Sequence, residues 1–220
     1  MILTDSHGKK ISSQNNEDCI IRTILNVVGE GNRTFVEIGV GNGEECNCIN
    51  LRRNCGWKGV LVDSCYSNHD VSQKFITAAN VQDMLREVNA PTTPTVLSLD
   101  IDGNDWYVMH NLGPFLPDAV LVCEFNSSFP NDKCLSIPYD PNFKFGATRF
   151  FGASQRAMHF LGMHLNYSLV YSNGVNMFFV PSAYRASFEN ADAEFIYTPQ
   201  NHIWPDDPRM STVVNPFDYV

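Results

Sequence analysis

Apolar positions along the chain follow two periods, and the switch between them divides it into elements. Ile20, Ile21, Ile24, Leu25 and Val28 fall on one face of a 3.6-residue repeat. The spacing predicts a helix capped by Ser12 or Ser13, with Glu17 and Asp18 in its first turns and Gly29 at its end. A short β-branched run, Thr34 to Ile38, then predicts a strand that enters the glycine-rich turn Gly39-Val40-Gly41-Asn42-Gly43. A helix is expected from about Glu44 to Asn54, broken by Gly56, followed by a second strand over 59–62. A weakly marked third strand is expected near 75–78, with Asn80 capping a helix over VQDMLREV. Thr95 to Asp102 and Ala119 to Phe125 are near-continuous apolar runs that end in acids, the pattern of central parallel strands covered on both faces. A polar and aromatic loop over 126–151 leads to a helix over 153–162. Two closing strands, YSLVYS and VNMFFV, flank Asn173-Gly174, a strong hairpin signal.

Alternating strands and helices that end in a hairpin predict an α/β fold: a Rossmann-like three-layer sandwich with a mostly parallel sheet. Residues 1–198 are expected to form one domain including the N-terminal helix, with 199–220 as an irregular tail rich in Pro, Asp and Asn. Ligands on such sheets bind beyond the carboxyl ends of the strands. Glu37, Asp63, Asp100, Asp102 and Glu124 are all placed there by the strand assignments, and that convergence says more than any acid alone.

The glycine spacing bears on the ligand. A dinucleotide fingerprint needs glycine at its first, third and sixth positions; Gly39 and Gly41 satisfy two, but Glu44 occupies the sixth. Glu44 and Glu45 would place like charge beside a pyrophosphate. A carboxylate before the turn (Glu37) can receive an ammonium group, and an acid after the second strand (Asp63) can grip a ribose diol. This suits S-adenosylmethionine better than NAD.

Composition narrows the field further. The net charge of -9 and scattered basic residues, with Lys9-Lys10 and Arg52-Arg53 the longest clusters, argue against a nucleic-acid or anionic-membrane partner. No apolar run reaches membrane length, and the N-terminus has no signal-peptide core, so a cytoplasmic protein is expected. Seven cysteines, an odd number, fit reduced thiols, and the spacing of Cys46, Cys48, Cys55 and Cys65 matches no paired zinc-ligand set. Asn32, Asn126 and Asn166 lie in glycosylation sequons that matter only in a secreted protein.

SQNNED (13–18), FVEIGVGNGEE (35–45), GWKGVLVD (56–63), VLSLDIDGNDWYV (96–108), CEFNSSF (123–129), PYDPNF (138–143), FFGAS (150–154) and NGVNMFFV (173–180) occur in this order. The ordered set resembles the FkbM-like class I methyltransferases over nearly all of the chain to about Val180. The resemblance implies a seven-stranded sheet, S-adenosylmethionine as methyl donor, and O-methylation of sugars, glycans or small natural products. It implies cofactor contacts for Glu37, Gly39, Gly41, Gly43 and Asp63. Asn80 and Val81 resemble the adenine-side loop, and Gln14 and Asp18 the N-terminal motif that closes over the cofactor. Asp100 joins this cofactor set from the end of the fourth strand.

Methyl transfer to a hydroxyl needs its proton removed, or its pKa lowered by a metal. Asp102, Glu124 and Asn126 are the candidates. One reading has these three hold Mg²⁺; a second makes Asp102 a metal-free general base with Asn126 positioning the acceptor; a third makes Asp102-Gly103-Asn104-Asp105 a turn and helix cap without chemistry. His110 reads as packing or surface, and His159 and His164 are weaker candidates for the base. Tyr139 and Asp140, with Phe143 and Phe145, suit a sugar-like acceptor, or pack a surface loop. Three other readings stay open: a non-catalytic nucleoside-binding protein on the same fold, an N-methyltransferase, and a disfavoured NAD oxidoreductase. The oligomeric state is open too, a homodimer among the options.

Overall fold

A computed structural model describes residues 1–3, 11–193 and 196–219; Lys9 and Lys10 lie outside them. Seven strands form one sheet in the order β3-β2-β1-β4-β5-β7-β6. They are β1 (Thr34–Ile38), β2 (Lys58–Asp63), β3 (Val71–Gln73), β4 (Val96–Leu99), β5 (Val120–Glu124), β6 (Tyr167–Ser172) and β7 (Asn176–Pro181). The first five are parallel, and β7 pairs antiparallel with both β5 and β6. The helices are α1 (Glu17–Val28), α2 (Ile49–Cys55), α3 (Val81–Glu87), α4 (Asp105–His110) and α5 (Gln155–His164).

Strand alternation feeds two cores, one on each face of the sheet. Phe35, Val96, Val120 and Val122 pack with Ile20, Ile21, Ile24 and Leu25 of α1 and with Ile49 and Leu51 of α2. Val36, Ile38, Leu97, Leu99, Leu121 and Cys123 pack with Val81 and Leu85 of α3, Trp106 and Met109 of α4, and Met158 and Leu161 of α5. The expected α/β sandwich, mostly parallel sheet and closing antiparallel pair are all present. None of the helices in the described residues is long and apolar enough to cross a membrane. No two of the described cysteines are joined.

The elements around the glycine turn depart from expectation. The predicted helix from Glu44 starts only at Ile49, because residues 41–48 form turns that Gly43 (φ +84°) helps to close. Glu37 reaches from β1 and accepts the Asn47 and Cys48 amides at 2.6 and 2.8 Å. It thus satisfies N–H groups at the start of α2 that would otherwise have no partner. The third strand is Val71–Gln73 rather than 75–78; Val71 pairs with Leu61, and Phe75 and Ile76 form a cavity wall instead. The fourth strand ends at Leu99, since Asp102 turns into the left-handed region (φ +55°). Asn16, not Ser12 or Ser13, occupies the N-cap of α1, while the Ser13 hydroxyl donates to Asp18 at 3.0 Å.

Residues 199–219 are irregular and pack against the rest of the chain as a strap. The Asn201 amide donates to the Ser127 carbonyl at 2.8 Å, and Arg149 is paired with Asp206. Val214 bridges to Ser136, and the Phe217 ring meets Trp106 edge-on at 5.1 Å. This strap crosses the carboxyl-end side of the sheet, next to the loop that follows β5.

Candidate functional site

The strand order reverses between β1 and β4, so their carboxyl ends diverge and leave a crevice. Gly39 permits that crevice. Its φ is +86°, and a Cβ there would sit 1.5 Å from the carbonyl oxygen of Asp100. Backbone from β1 and β4 therefore touches where any side chain would collide. Gly41 (φ +55°) has open space above it and faces the crevice, whereas Gly43 meets the Val71 side chain and is a packing residue.

The crevice has two lobes that share Gly39, Gly41, Tyr66, Asp100 and Asp102. The smaller, about 520 Å³, is lined by Asp63, Phe75, Ile76, Ile101, Asn104, Phe143 and Phe145. Asp63, the shared Asp100 and Asp102, the lysines Lys74 and Lys144, and several apolar or aromatic faces together suit it to a nucleoside. Asp63 accepts the Gly41 amide at 2.8 Å and the Cys65 and Tyr66 amides at 2.7 and 3.1 Å. Three of about four lone-pair directions are thus used, leaving capacity for a hydroxyl.

The larger lobe, about 710 Å³, runs toward β5, β7 and the strap. Glu17, Glu37, Glu44, Glu45, Asp100, Asp102 and Glu124 all line it, and its described lining includes no lysine, arginine or histidine. Glu37 is buried. Burial pushes its carboxyl up to about 7, against the pull of the Cys48 and Asn47 amides. Burial likewise raises Asp100, helped by Asp102 and Asp105, and raises Glu124, helped by Asp100, Asp105 and Asp102. Asp102 is raised by burial. Asp100, Asp102 and Glu124 each present a carboxylate oxygen within 4.8 Å of the other two.

Several expected site residues have structural roles. All polar atoms of the Asn126 side chain are used internally. Its amide donates to the Arg149 and Phe151 carbonyls, both at 2.8 Å, and its oxygen accepts from the Ser128 amide and hydroxyl. Asn126 therefore shapes the loop after β5, and Asp100 takes its place beside Asp102 and Glu124. In the turn after β4 the cap is Asp105, which accepts the Ile101 and Gly103 amides at 2.8 Å each, leaving Asp102 to face the crevice. Asp18 is buried and accepts the Ile11, Ser12 and Cys19 amides, each at 2.8 Å; it organises the segment before α1 and lines neither lobe. Gln14, four residues earlier, does line the larger lobe.

Asn80 spends its side-chain oxygen on the Thr77 amide, Val81 is core, and neither lines the crevice; Phe75 and Ile76 form that wall. Tyr139 packs its ring against Tyr107 at 5.2 Å, and the Asp140 side chain caps its own loop at Asn142. Both lie off the crevice, although the Asp140 carbonyl accepts the Asn104 amide at 2.7 Å. Phe143, from the same loop, packs on Gly103 and enters the smaller lobe with Phe145. None of the three histidines lines either lobe. His110 stacks on Trp106, His164 on His110, and His159 sits between Tyr197 and Asp192.

Other lining residues were not anticipated. Glu17 accepts from Asn173 at 2.8 Å and Asn176 at 3.3 Å, tying α1 to the β6–β7 turn. Ile203 and Trp204 of the strap close the outer wall. A tryptophan in a polar, unpatterned tail was the one signal available for the latter. No family model matches the chain, and no curated protein matches it.

Proposed function

We propose that the protein is an S-adenosylmethionine-dependent methyltransferase acting on a hydroxyl of a sugar, glycan or small natural product. One observation carries the reading. The crevice at the strand-order reversal joins a nucleoside-shaped lobe holding Asp63 to an acidic lobe holding Glu37, across Gly39 and Gly41. Adenosine would occupy the smaller lobe, with its ribose diol at Asp63 and its base among Phe75, Ile76, Ile101 and Phe143. The methionyl ammonium would meet Glu37, and the sulfonium methyl would face the larger lobe, where the acceptor binds under Trp204.

The reaction is an in-line displacement. The acceptor oxygen forms a bond to the methyl carbon as the carbon–sulfur bond breaks, releasing S-adenosylhomocysteine, and the hydroxyl proton passes to a carboxylate. Asp102 and Glu124 are the candidate bases: both face the larger lobe, and burial raises each carboxyl above its ordinary value. Asn126 contributes by holding the loop under Ser127 and Ser128. A neutral acceptor in the cytoplasm fits the account. The acidic wall also favours a second reading, methylation of an amine, which a cationic acceptor would make by the same displacement.

Calorimetric titration tests the proposal. S-Adenosylmethionine and S-adenosylhomocysteine should bind the wild type one to one, at least tenfold more weakly in Asp63→Ala, and NAD should not bind. NAD binding without S-adenosylmethionine binding overturns it.

A further inference from the structure

We infer that Asp100, Asp102 and Glu124 form a binding site for one divalent cation of the Mg²⁺, Mn²⁺ or Ca²⁺ class. The geometry comes first. Three carboxylate oxygens, one from each residue, lie within 4.8 Å of one another. Neighbouring oxygens around a hard divalent ion are about 3 Å apart and opposite ones about 4–5 Å apart, given metal–oxygen distances of about 2.0–2.6 Å. The three groups can therefore close on one ion with side-chain adjustment alone.

Two further observations point to a positive ligand rather than a merely acidic surface. Glu124 Oε2 is buried and has no hydrogen-bond partner, in a residue only 8 % exposed. Asn176, which faces Glu124 in the β5–β7 register and is 2 % exposed, likewise has a buried, unpartnered Oδ1. Both residues line the larger lobe. Buried acceptors without donors are costly, so the unpartnered Asn176 Oδ1 beside three clustered carboxylates, one of which carries an unpartnered oxygen of its own, points to a positive ligand. The described lining supplies no lysine, arginine or histidine to neutralise the group. Asp105 cannot share the task, because both its oxygens already hold the turn after β4. All three ligands are hard oxygens, which select Mg²⁺, Mn²⁺ or Ca²⁺ over softer zinc or copper.

This inference goes beyond methyl transfer and stands on its own geometry, so it is tested without cofactor. Mn²⁺ is titrated into the full chain and the free-ion signal followed by electron paramagnetic resonance, with Mg²⁺ and Ca²⁺ as competitors. One site should appear, and Glu124→Gln and Asp102→Asn should each weaken it at least tenfold. Glu45→Gln, which removes an exposed carboxylate at the rim of the same lobe, should change it less than twofold. Thermal melts without metal show whether each variant is folded, and Mn²⁺ should raise the melting temperature of the wild type but not of Glu124→Gln. Absence of a site tighter than about 1 mM, or equal weakening in all three variants, overturns the inference. Failure of S-adenosylmethionine to bind while Mn²⁺ binds would remove the methyltransferase reading and leave the cation site standing.

Discussion

Glu37→Gln isolates the charge on which cofactor binding is proposed to depend. Burial lifts this carboxyl from an ordinary 4.5 to about 7, so the empty protein holds it largely protonated below neutrality. A cationic ammonium needs the ionised form. With the group's pKa near 7, binding at pH 6 must first remove a proton at a cost of about 1.4 kcal/mol, against about 0.1 kcal/mol at pH 8. Glu37 alone should therefore make affinity for S-adenosylmethionine about tenfold weaker at pH 6 than at pH 8. Titration of the ligand's own amine, with a pKa near 8, opposes this by about twofold in both proteins, so the wild type should show a net dependence of about fivefold. In Glu37→Gln the contribution of about tenfold should vanish and affinity at pH 8 should drop by about 10- to 100-fold, the loss of one charge-assisted hydrogen bond.

Stability gives the same argument with the sign reversed. The folded state binds the Glu37 proton more tightly than the unfolded state, so this residue's contribution falls as pH rises from about 4.5 to 7, by up to about 3 kcal/mol. The variant lacks that slope. It carries instead a constant penalty of about 1–3 kcal/mol, because glutamine can accept only one of the Asn47 and Cys48 amides. Calorimetry from pH 6 to 8 in two buffers of different ionisation enthalpy reads both the affinity and the proton released. Equal wild-type affinity across that range, or an unchanged pH dependence in the variant, would refute the reasoning.

Three further outcomes follow from the same geometry. Gly39→Ala forces a Cβ to within 1.5 Å of the Asp100 carbonyl at positive φ; denaturant titration should show a loss of about 3 kcal/mol or more, and a loss below about 1 kcal/mol would mean that β1 and β4 do not approach as described. Asp18→Asn should cost about 2 kcal/mol at pH 7, since one amide oxygen cannot replace two carboxylate oxygens among the Ile11, Ser12 and Cys19 amides. Burial raises the Asp18 pKa, but its hydrogen bonds outweigh burial and hold it below 3.8, so the stabilisation is present above about pH 4 and shrinks as pH falls through the folded value; a gap between the two proteins that persists at lower pH would contradict this. Trp204→Ala removes an edge-on contact with Phe145 and should lower stability by about 1 kcal/mol while leaving S-adenosylhomocysteine affinity within twofold; a tenfold loss of that affinity would place the strap at the cofactor.

The framework was legible because hydrophobic period and strand burial are local properties. Thr34–Ile38, the apolar runs ending near Asp100 and Glu124, and the Asn173-Gly174 turn declare themselves without tertiary information, and together they dictate the sheet. The errors lie where a distant group decides a local conformation. Glu44 to Cys48 has the composition to begin a helix, but Glu37 captures the Asn47 and Cys48 amides from another strand and delays α2 to Ile49. Val71–Gln73 is a strand only because β2 offers an edge to pair with.

The site was partly legible for the same reason. Strand ends placed Glu37, Asp63, Asp100, Asp102 and Glu124 correctly around one crevice. Asn126 looked like a ligand by spacing, but the neighbouring carbonyls of Arg149 and Phe151 consume its amide, which no spacing reveals. Trp204 reaches the crevice through a strap with no period of its own, held by individual contacts such as Arg149 with Asp206 and Asn201 with Ser127.

The most direct test of the account is a crystal structure of the protein grown with saturating S-adenosylhomocysteine. Density should place the ribose diol on Asp63, the adenine among Phe75, Ile76 and Phe143, and the ammonium group on Glu37, with the sulfur turned toward Asp102 and Glu124. A well-ordered protein with the ligand bound elsewhere, or with an empty crevice at concentrations that saturate methyltransferases, would contradict it.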